Sequence, residues 1–213
     1  MTDETSVQLP RKERQFLFHR GEIIRAAERV FAEKGYVSTT MEEIARQAEF
    51  AVGTLYKFFD NKADLHAEIL RTKLDQMEQA AYEVIEAGAT PLEKIEGYFG
   101  LRIEFFWENR EFFRLFQETT GTVCDSRSGA SPDILERYQR FLGRIEDVFD
   151  EGIKAGQFRS LGAQVLTLSL EGLLRAYLTH LGRQPAPQRS PEEEQRLFAV
   201  FAKGATPREC FGS

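Results

Sequence analysis

The chain has 213 residues, 42% hydrophobic and 29% charged, so it can bury a core and remain soluble. No apolar run approaches the ~18 residues of a membrane span. The first twenty residues hold no apolar secretion segment, and two cysteines with three scattered histidines make neither a disulfide framework nor a metal site. The expectation is a cytoplasmic globular protein with no cofactor. The net charge of −6 speaks against nucleic acid at first sight, but ten Lys/Arg against eight Asp/Glu between Arg11 and Lys62 give that stretch a balance of +2. A slightly basic N-terminal quarter on an acidic remainder suits a small nucleic-acid-reading head.

Helical periodicity dominates, and no stretch sustains strand-like alternation. The spacing predicts a first helix over Glu13–Lys34, with Phe16, Ile23, Ala27, Val30 and Phe31 on one face and Gly35 as its left-handed stop. Thr40-Met-Glu-Glu reads as a capping box that opens a short helix to Ala48. A third helix covers Val52–Phe59, and Asp60-Asn61 breaks the chain before a long helix over Lys62–Ala87. Thr90-Pro91 caps a helix to Glu108, and another is expected over Arg110–Thr119. Residues 121–131, GTVCDSRSGAS, read as a loop. Pro132 opens a helix that ends at Gly156, another spans Gly162–Leu181, and Ser190-Pro191 caps a last one to Gly204. The fold class is therefore all-α, with about nine helices. A flexible arm (1–15) precedes a head (16–76) containing a helix-turn-helix (39–58). A larger body (77–204) and a frayed tail (205–213) follow.

Two short helices joined by a tight turn, with a longer helix before them, outline a helix-turn-helix reader. The second must enter the major groove, so small residues at its start let the backbone approach base edges. Ala51-Val52-Gly53-Thr54 meet that need, and Thr54 can offer a hydroxyl or pack its methyl on thymine. Leu55 and Phe59, four apart, face inward against Ile44 and Ala48. Tyr56, Lys57 and Lys62 flank the groove-facing end, where hydroxyl and ammonium groups suit phosphates.

AAERVFAEKGY, TTMEEIA and GTLYKFFDNKADL, in that order and spacing, resemble the DNA-binding head of the TetR/AcrR family of bacterial transcriptional regulators. The resemblance covers about fifty residues. It implies that Thr40 and Tyr56 hold phosphates, that Gly53 and Thr54 sit near bases, and that Lys62 grips the backbone. Lys57 is a phosphate or base contact, and Thr39, Ala51 and Val52 belong to the same DNA-facing set. Three positions depart from the pattern. Glu49 stands where glycine is usual, at a place that often needs a left-handed backbone. Ala51 replaces a small hydroxyl residue that would cap the reading helix, and Phe58 replaces a common histidine.

For the body, the resemblance implies a homodimer through the helices at about 162–181 and 191–203, and an internal effector pocket. The first of these helices has one stripe of Leu166, Leu170, Leu173, Leu174, Tyr177 and Leu181, and a second face of Val165, Leu168, Gly172, Ala176 and Thr179. A core face plus a small-residue face is what close packing of two copies needs. On the 91–108 helix Arg102 falls among aromatic residues, where an unpaired charge would be very costly. It therefore anchors an anionic effector, pairs with an internal carboxylate, or reaches solvent. The candidate effector lining is Phe99, Arg102, Phe106, Phe116, Phe141, Leu174 and Tyr177, which favours a small apolar or aromatic ligand. Cys124, in the loop, reads as inert. The expected function is a ligand-responsive repressor that binds a palindromic DNA operator as a dimer. A helical small-molecule or partner-binding protein that has lost DNA recognition is the alternative. No catalytic constellation is visible, so an enzyme is the least favoured reading.

Overall fold

The computed structural model describes residues 10–110, 112–113 and 132–207. The described residues contain eight helices: α1 (Arg11–Ser38), α2 (Met41–Gln47), α3 (Val52–Leu55), α4 (Lys62–Ala87), α5 (Pro91–Glu108), α6 (Pro132–Lys154), α7 (Ala163–Gly182) and α8 (Pro191–Ala205). The chain divides into two compact units, Met1–Thr72 and Lys73–Ser213. They are called the head and the body below, and α4 begins in one and ends in the other.

In the head, α1 packs on α2 and α2 on α3. Ile23, Ala27, Phe31, Ile44, Leu55 and Leu65 are almost fully buried and form its centre. The helix starts at Arg11, so residues 11–15, expected as part of a flexible arm, are helical. Gly35 breaks α1 with φ 77°, the left-handed conformation expected there, and a single turn to Ser38 follows. Phe16, predicted on the core face, is instead 48% exposed. It lies a full two turns before the first buried residue and stacks on Phe58, ring centroids 4.7 Å apart. α3 stops at Leu55 rather than Phe59. Turns carry the chain onward through hydrogen bonds from the Phe58 and Phe59 N–H groups to the Leu55 carbonyl.

The body buries one continuous core. α5 supplies Ile95, Tyr98, Phe99, Ile103 and Phe106, and α6 supplies Phe141, Ile145, Val148 and Phe149. α7 contributes Leu166, Leu170, Leu174, Tyr177, Leu178 and Leu181. Leu173, predicted in that stripe, is only half-buried at its edge. The Thr90 cap is a full capping box with Glu93. The Ser190 hydroxyl accepts from the Glu193 N–H as the cap of α8. Gly156, at φ 73°, closes the end of α6, and the Gln157 and Phe158 N–H groups both return to the Gly152 carbonyl. The C-terminal residues 205 and 206 are not frayed. Ala205 ends α8, and buried Thr206 bonds back to Ala202 through both its N–H and its hydroxyl. The helix expected over Arg110–Thr119, the 121–131 loop with Cys124, and the tail beyond 207 lie wholly or mostly outside the described residues.

Candidate nucleic-acid interface and effector site

The reading edge starts from how α2 and α3 are held. Thr40 caps α2: its hydroxyl accepts from the Glu43 N–H at 3.3 Å, and Glu43 accepts from the Thr40 N–H at 3.1 Å. Lys34 bonds the other Glu43 oxygen at 2.6 Å. That bond, followed by the Thr40 backbone, keeps the Glu43 carboxyl below its usual range. The Thr40 side chain is exposed, and its hydroxyl hydrogen remains available to an outside acceptor. Between α2 and α3, Glu49 adopts φ 60°, the single non-glycine residue with positive φ among those described. The backbone takes the left-handed turn without glycine, at a steric cost of ~1–2 kcal/mol. Ala51 caps α3 with no side-chain hydrogen bond.

Ala51, Val52, Gly53, Tyr56 and Lys57 are exposed and Thr54 is half-buried, while Leu55 and Phe59 point into the head. Gly53 is informative. A Cβ built on it meets no atom within 4 Å, so nothing inside the head requires glycine there. A glycine in a helix costs ~0.5–1 kcal/mol relative to alanine.

Two predicted DNA contacts are turned inward. Thr39 is buried and its hydroxyl donates to the Gly35 carbonyl at 2.8 Å. Lys62 Nζ donates to the carbonyls of Tyr36 (2.7 Å), Thr39 (2.7 Å) and Val37 (3.3 Å) and lies 4.5 Å from the Tyr36 ring centroid. The break at Gly35 leaves the last α1 carbonyls without helical partners, and a cation suits that negative helix end. These three bonds give Lys62 a structural role in the head. Sequence reading also missed the cap of α4, where Asn61 Oδ1 accepts from the Asp64 N–H at 2.9 Å and Asp64 accepts from the Asp60 N–H.

In the body, Arg102 meets an internal carboxylate. Its Nη1 lies 2.8 and 2.9 Å from the two oxygens of Glu171 on α7 and also bonds the Tyr98 hydroxyl. Tyr98 donates to Glu171 at 2.6 Å and Tyr138 of α6 donates to it at 2.9 Å. Each Glu171 oxygen thus receives two hydrogen bonds. Burial alone would raise this carboxyl's pKa. The Arg102 charge and the hydrogen bonds from Tyr98, Arg102 and Tyr138 outweigh burial and hold it below the ordinary value. Burial pushes the Tyr98 phenol well up. The cluster is neutral in sum, so an anionic effector at Arg102 would face Glu171; of the alternatives open for Arg102, the internal carboxylate is the one the structure shows. The missed signal was a lone acid in the leucine-rich run LTLSLEGLL.

Of the other predicted lining residues, Phe99, Phe106, Phe141, Leu174 and Tyr177 are buried in the same core. Phe116 lies outside the described residues. The Tyr177 hydroxyl is buried without a hydrogen-bond partner among the described residues, and burial raises its pKa. An orphaned hydroxyl of this kind costs ~1–3 kcal/mol. At one end of the body, Phe106 and Leu181 reach a cleft of about 180 Å³ bordered by Arg110 and Arg183.

A head that exposes the start of a short helix beside a tight turn, followed by a helical body with its own aromatic core, defines a DNA-binding transcriptional regulator. Residues 23–69 match the family described as bacterial regulatory proteins, tetR family. The chain is 29% identical over 168 residues to the HTH-type transcriptional regulator YhgD of Bacillus subtilis, covering 78% of this chain and 85% of that one. It is 29% identical over 140 residues to the HTH-type transcriptional repressor KstR2 of Mycobacterium tuberculosis, covering 66% and 69%. The solved structure of KstR2, a ketosteroid transcriptional regulator, superposes with a TM-score of 0.70 at 25% identity over 89% of this chain and 95% of that one. The fold is shared with Bacillus subtilis FadR, solved in complex with stearoyl-CoA, at a TM-score of 0.71 and 22% identity over 86% and 98%. Residues 23–69 thus match the DNA-binding head of the tetR family, and the chain is similar over most of its length to HTH-type transcriptional regulators. Among the described residues, no helix is long and apolar enough to cross a membrane.

Proposed function

We propose that the protein is a cytoplasmic repressor that binds a palindromic duplex as a homodimer and is released by a small apolar or amphipathic effector. The observation that carries the DNA reading is Gly53, a helix glycine that no contact within the head demands. It sits among exposed Ala51, Val52, Tyr56 and Lys57, where close approach of a base edge supplies the missing reason. Thr54 and Val52 read bases, and Thr40, Tyr56 and Lys57 hold phosphates.

The dimer reading is supported by α7. Its outward face carries Val165, 53% exposed, and Leu168, 59% exposed, in line with Gly172, Ala176 and Thr179, and α8 exposes Val200. Apolar side chains exposed to this degree along one helix face suit contact with a second copy. The effector reading rests on the orphaned Tyr177 hydroxyl within an aromatic core, where a polar atom on an otherwise apolar ligand would satisfy it. Bacillus subtilis FadR, which shares the fold, was solved with stearoyl-CoA, an amphipathic molecule with a long apolar chain. Such an effector needs only to prefer the body conformation that goes with weak DNA binding. A ~100-fold preference, ~2.7 kcal/mol, weakens DNA binding by the same factor.

Fluorescence anisotropy against the duplex upstream of the protein's own gene, with and without stearoyl-CoA, tests the reading. Saturable binding that resists competitor DNA supports it. Tyr56→Ala should weaken binding to all sequences, whereas Thr54→Ala should change sequence preference by ~1–3 kcal/mol. Absence of duplex binding even at low salt would favour a ligand-binding protein that has lost DNA recognition, and Glu49, Ala51 and Phe58 would then be its marks.

A further inference from the structure

Several of the head's cations already have partners. Lys62 is spent on three carbonyls, Lys34 on Glu43, Arg20 on Glu68 and Arg25 on Glu22. Phosphate binding normally draws on several lysines and arginines, and α3 with the turn that follows it exposes only Lys57. The first turns of α1 supply a further candidate. Phe16 stacks on Phe58, just past α3, and the His19 ring lies 5.1 Å from that of Phe50, just before α3. These two aromatic contacts fasten the N-terminal part of α1 to both ends of the reading helix.

Helical geometry then singles out one side chain. At about 100° per residue, Lys12 lies ~40° from Phe16 and ~20° from His19, so it continues the face that meets α3. It stands ~6 Å, one turn, beyond Phe16. Arg14 lies ~160° from Phe16, on the opposite side. Lys12 and Arg14 are both exposed, and neither forms an ion pair among the described residues. Arg11 and Glu13 project to the two flanks.

We infer that Lys12 is a phosphate-backbone contact that extends the DNA interface past the end of α3, and that the Phe16–Phe58 stack positions it. Where the family pattern favours histidine, Phe58 exchanges a polar contact for an aromatic seat, and the charge reaches the duplex from α1. This inference rests on the head being a reader of duplex DNA. It adds a contact outside the helix-turn-helix and separates two chemically similar cations by the face they occupy.

The test is the slope of log Kd against log salt concentration for the full-length protein on a duplex from its own upstream region. Each lost phosphate contact lowers the slope by ~0.9. Lys12→Gln should therefore reduce it by about 2 for a dimer, and Arg14→Gln should leave it unchanged. Phe16→Ala, which keeps the charge, should lower affinity about threefold to tenfold and recover with Phe16→Leu or Phe16→Tyr; circular dichroism confirms that each variant is folded. A wild-type slope for Lys12→Gln overturns the inference, as does an equal loss for Arg14→Gln. A wild-type protein that does not bind duplex at any salt overturns the DNA reading and this inference together. Binding with an unchanged Lys12→Gln slope overturns this inference alone.

Discussion

The head and the body use polar side chains in opposite ways. In the head many bond to nearby backbone: Thr40 with Glu43, Thr39 with Gly35, Asn61 with Asp64; Lys62 reaches further. In the body, residues far apart in sequence converge, with Arg102 and Tyr98 of α5, Tyr138 of α6 and Glu171 of α7 sharing one buried carboxylate. Local caps set the ends of short helices and leave an edge free to face another molecule. A buried ionic cluster fixes how three long helices register against one another, and it does so at a high cost when one member is lost. The contrast teaches that the head is built to present a surface and the body to hold an interior arrangement.

The largest expected effect lies in the body. Arg102→Ala leaves Glu171 charged and buried, so unfolding experiments in urea should show a loss of ~3–5 kcal/mol. Replacing both partners, Arg102→Met with Glu171→Leu, should recover most of that loss. Acid denaturation probes the same cluster from the other side. Folding lowers the Glu171 pKa, so its stabilisation is complete above the unfolded carboxyl value of ~4.3. It is lost as pH falls through the lower folded value. The Glu171→Gln protein should accordingly show a flatter decline of stability below about pH 4.

Head substitutions should have smaller effects. Lys62→Ala removes the donor to three carbonyls and should destabilise the head by ~1–3 kcal/mol. The salt slope of DNA binding should remain unchanged, and a reduced slope would place Lys62 in the phosphate set. Thr40→Ala should cost ~1 kcal/mol through loss of the cap. Gly53→Ala should raise the melting temperature slightly, by ~0.5 kcal/mol of stability, while weakening DNA binding. A variant that keeps full affinity would remove the main support for close approach at that residue. In the body, Tyr177→Phe should stabilise the ligand-free protein by ~1 kcal/mol by removing a hydroxyl that has no partner among the described residues.

What was legible in the sequence follows the same division. Thr-x-x-Glu at Thr40 and at Thr90 encodes a cap within four residues, so these helix starts could be read directly. The buried positions of Ile95, Phe99, Ile103 and Phe106 followed from helical period alone. Arg102 announced itself as a buried charge, yet its partner stands sixty-nine residues away on another helix, and no periodicity links the two. The bonds of Lys62 were illegible for the same reason: the carbonyls that hold it lie some twenty-five residues earlier, around a helix break. Thr39 and Thr40 are adjacent and chemically alike, but only the structure turns one inward and the other out.

Glu49 also bears on how long the head survives. A residue held at φ 60° could be replaced by glycine with a gain of about 1 kcal/mol. At equilibrium that amount changes the population of the opened turn by roughly a factor of five. The wild-type head therefore visits open states more often than its contacts alone would require. A protease that cuts opened chains should nick it near the α2–α3 turn, and Glu49→Gly should slow that cleavage by a similar factor.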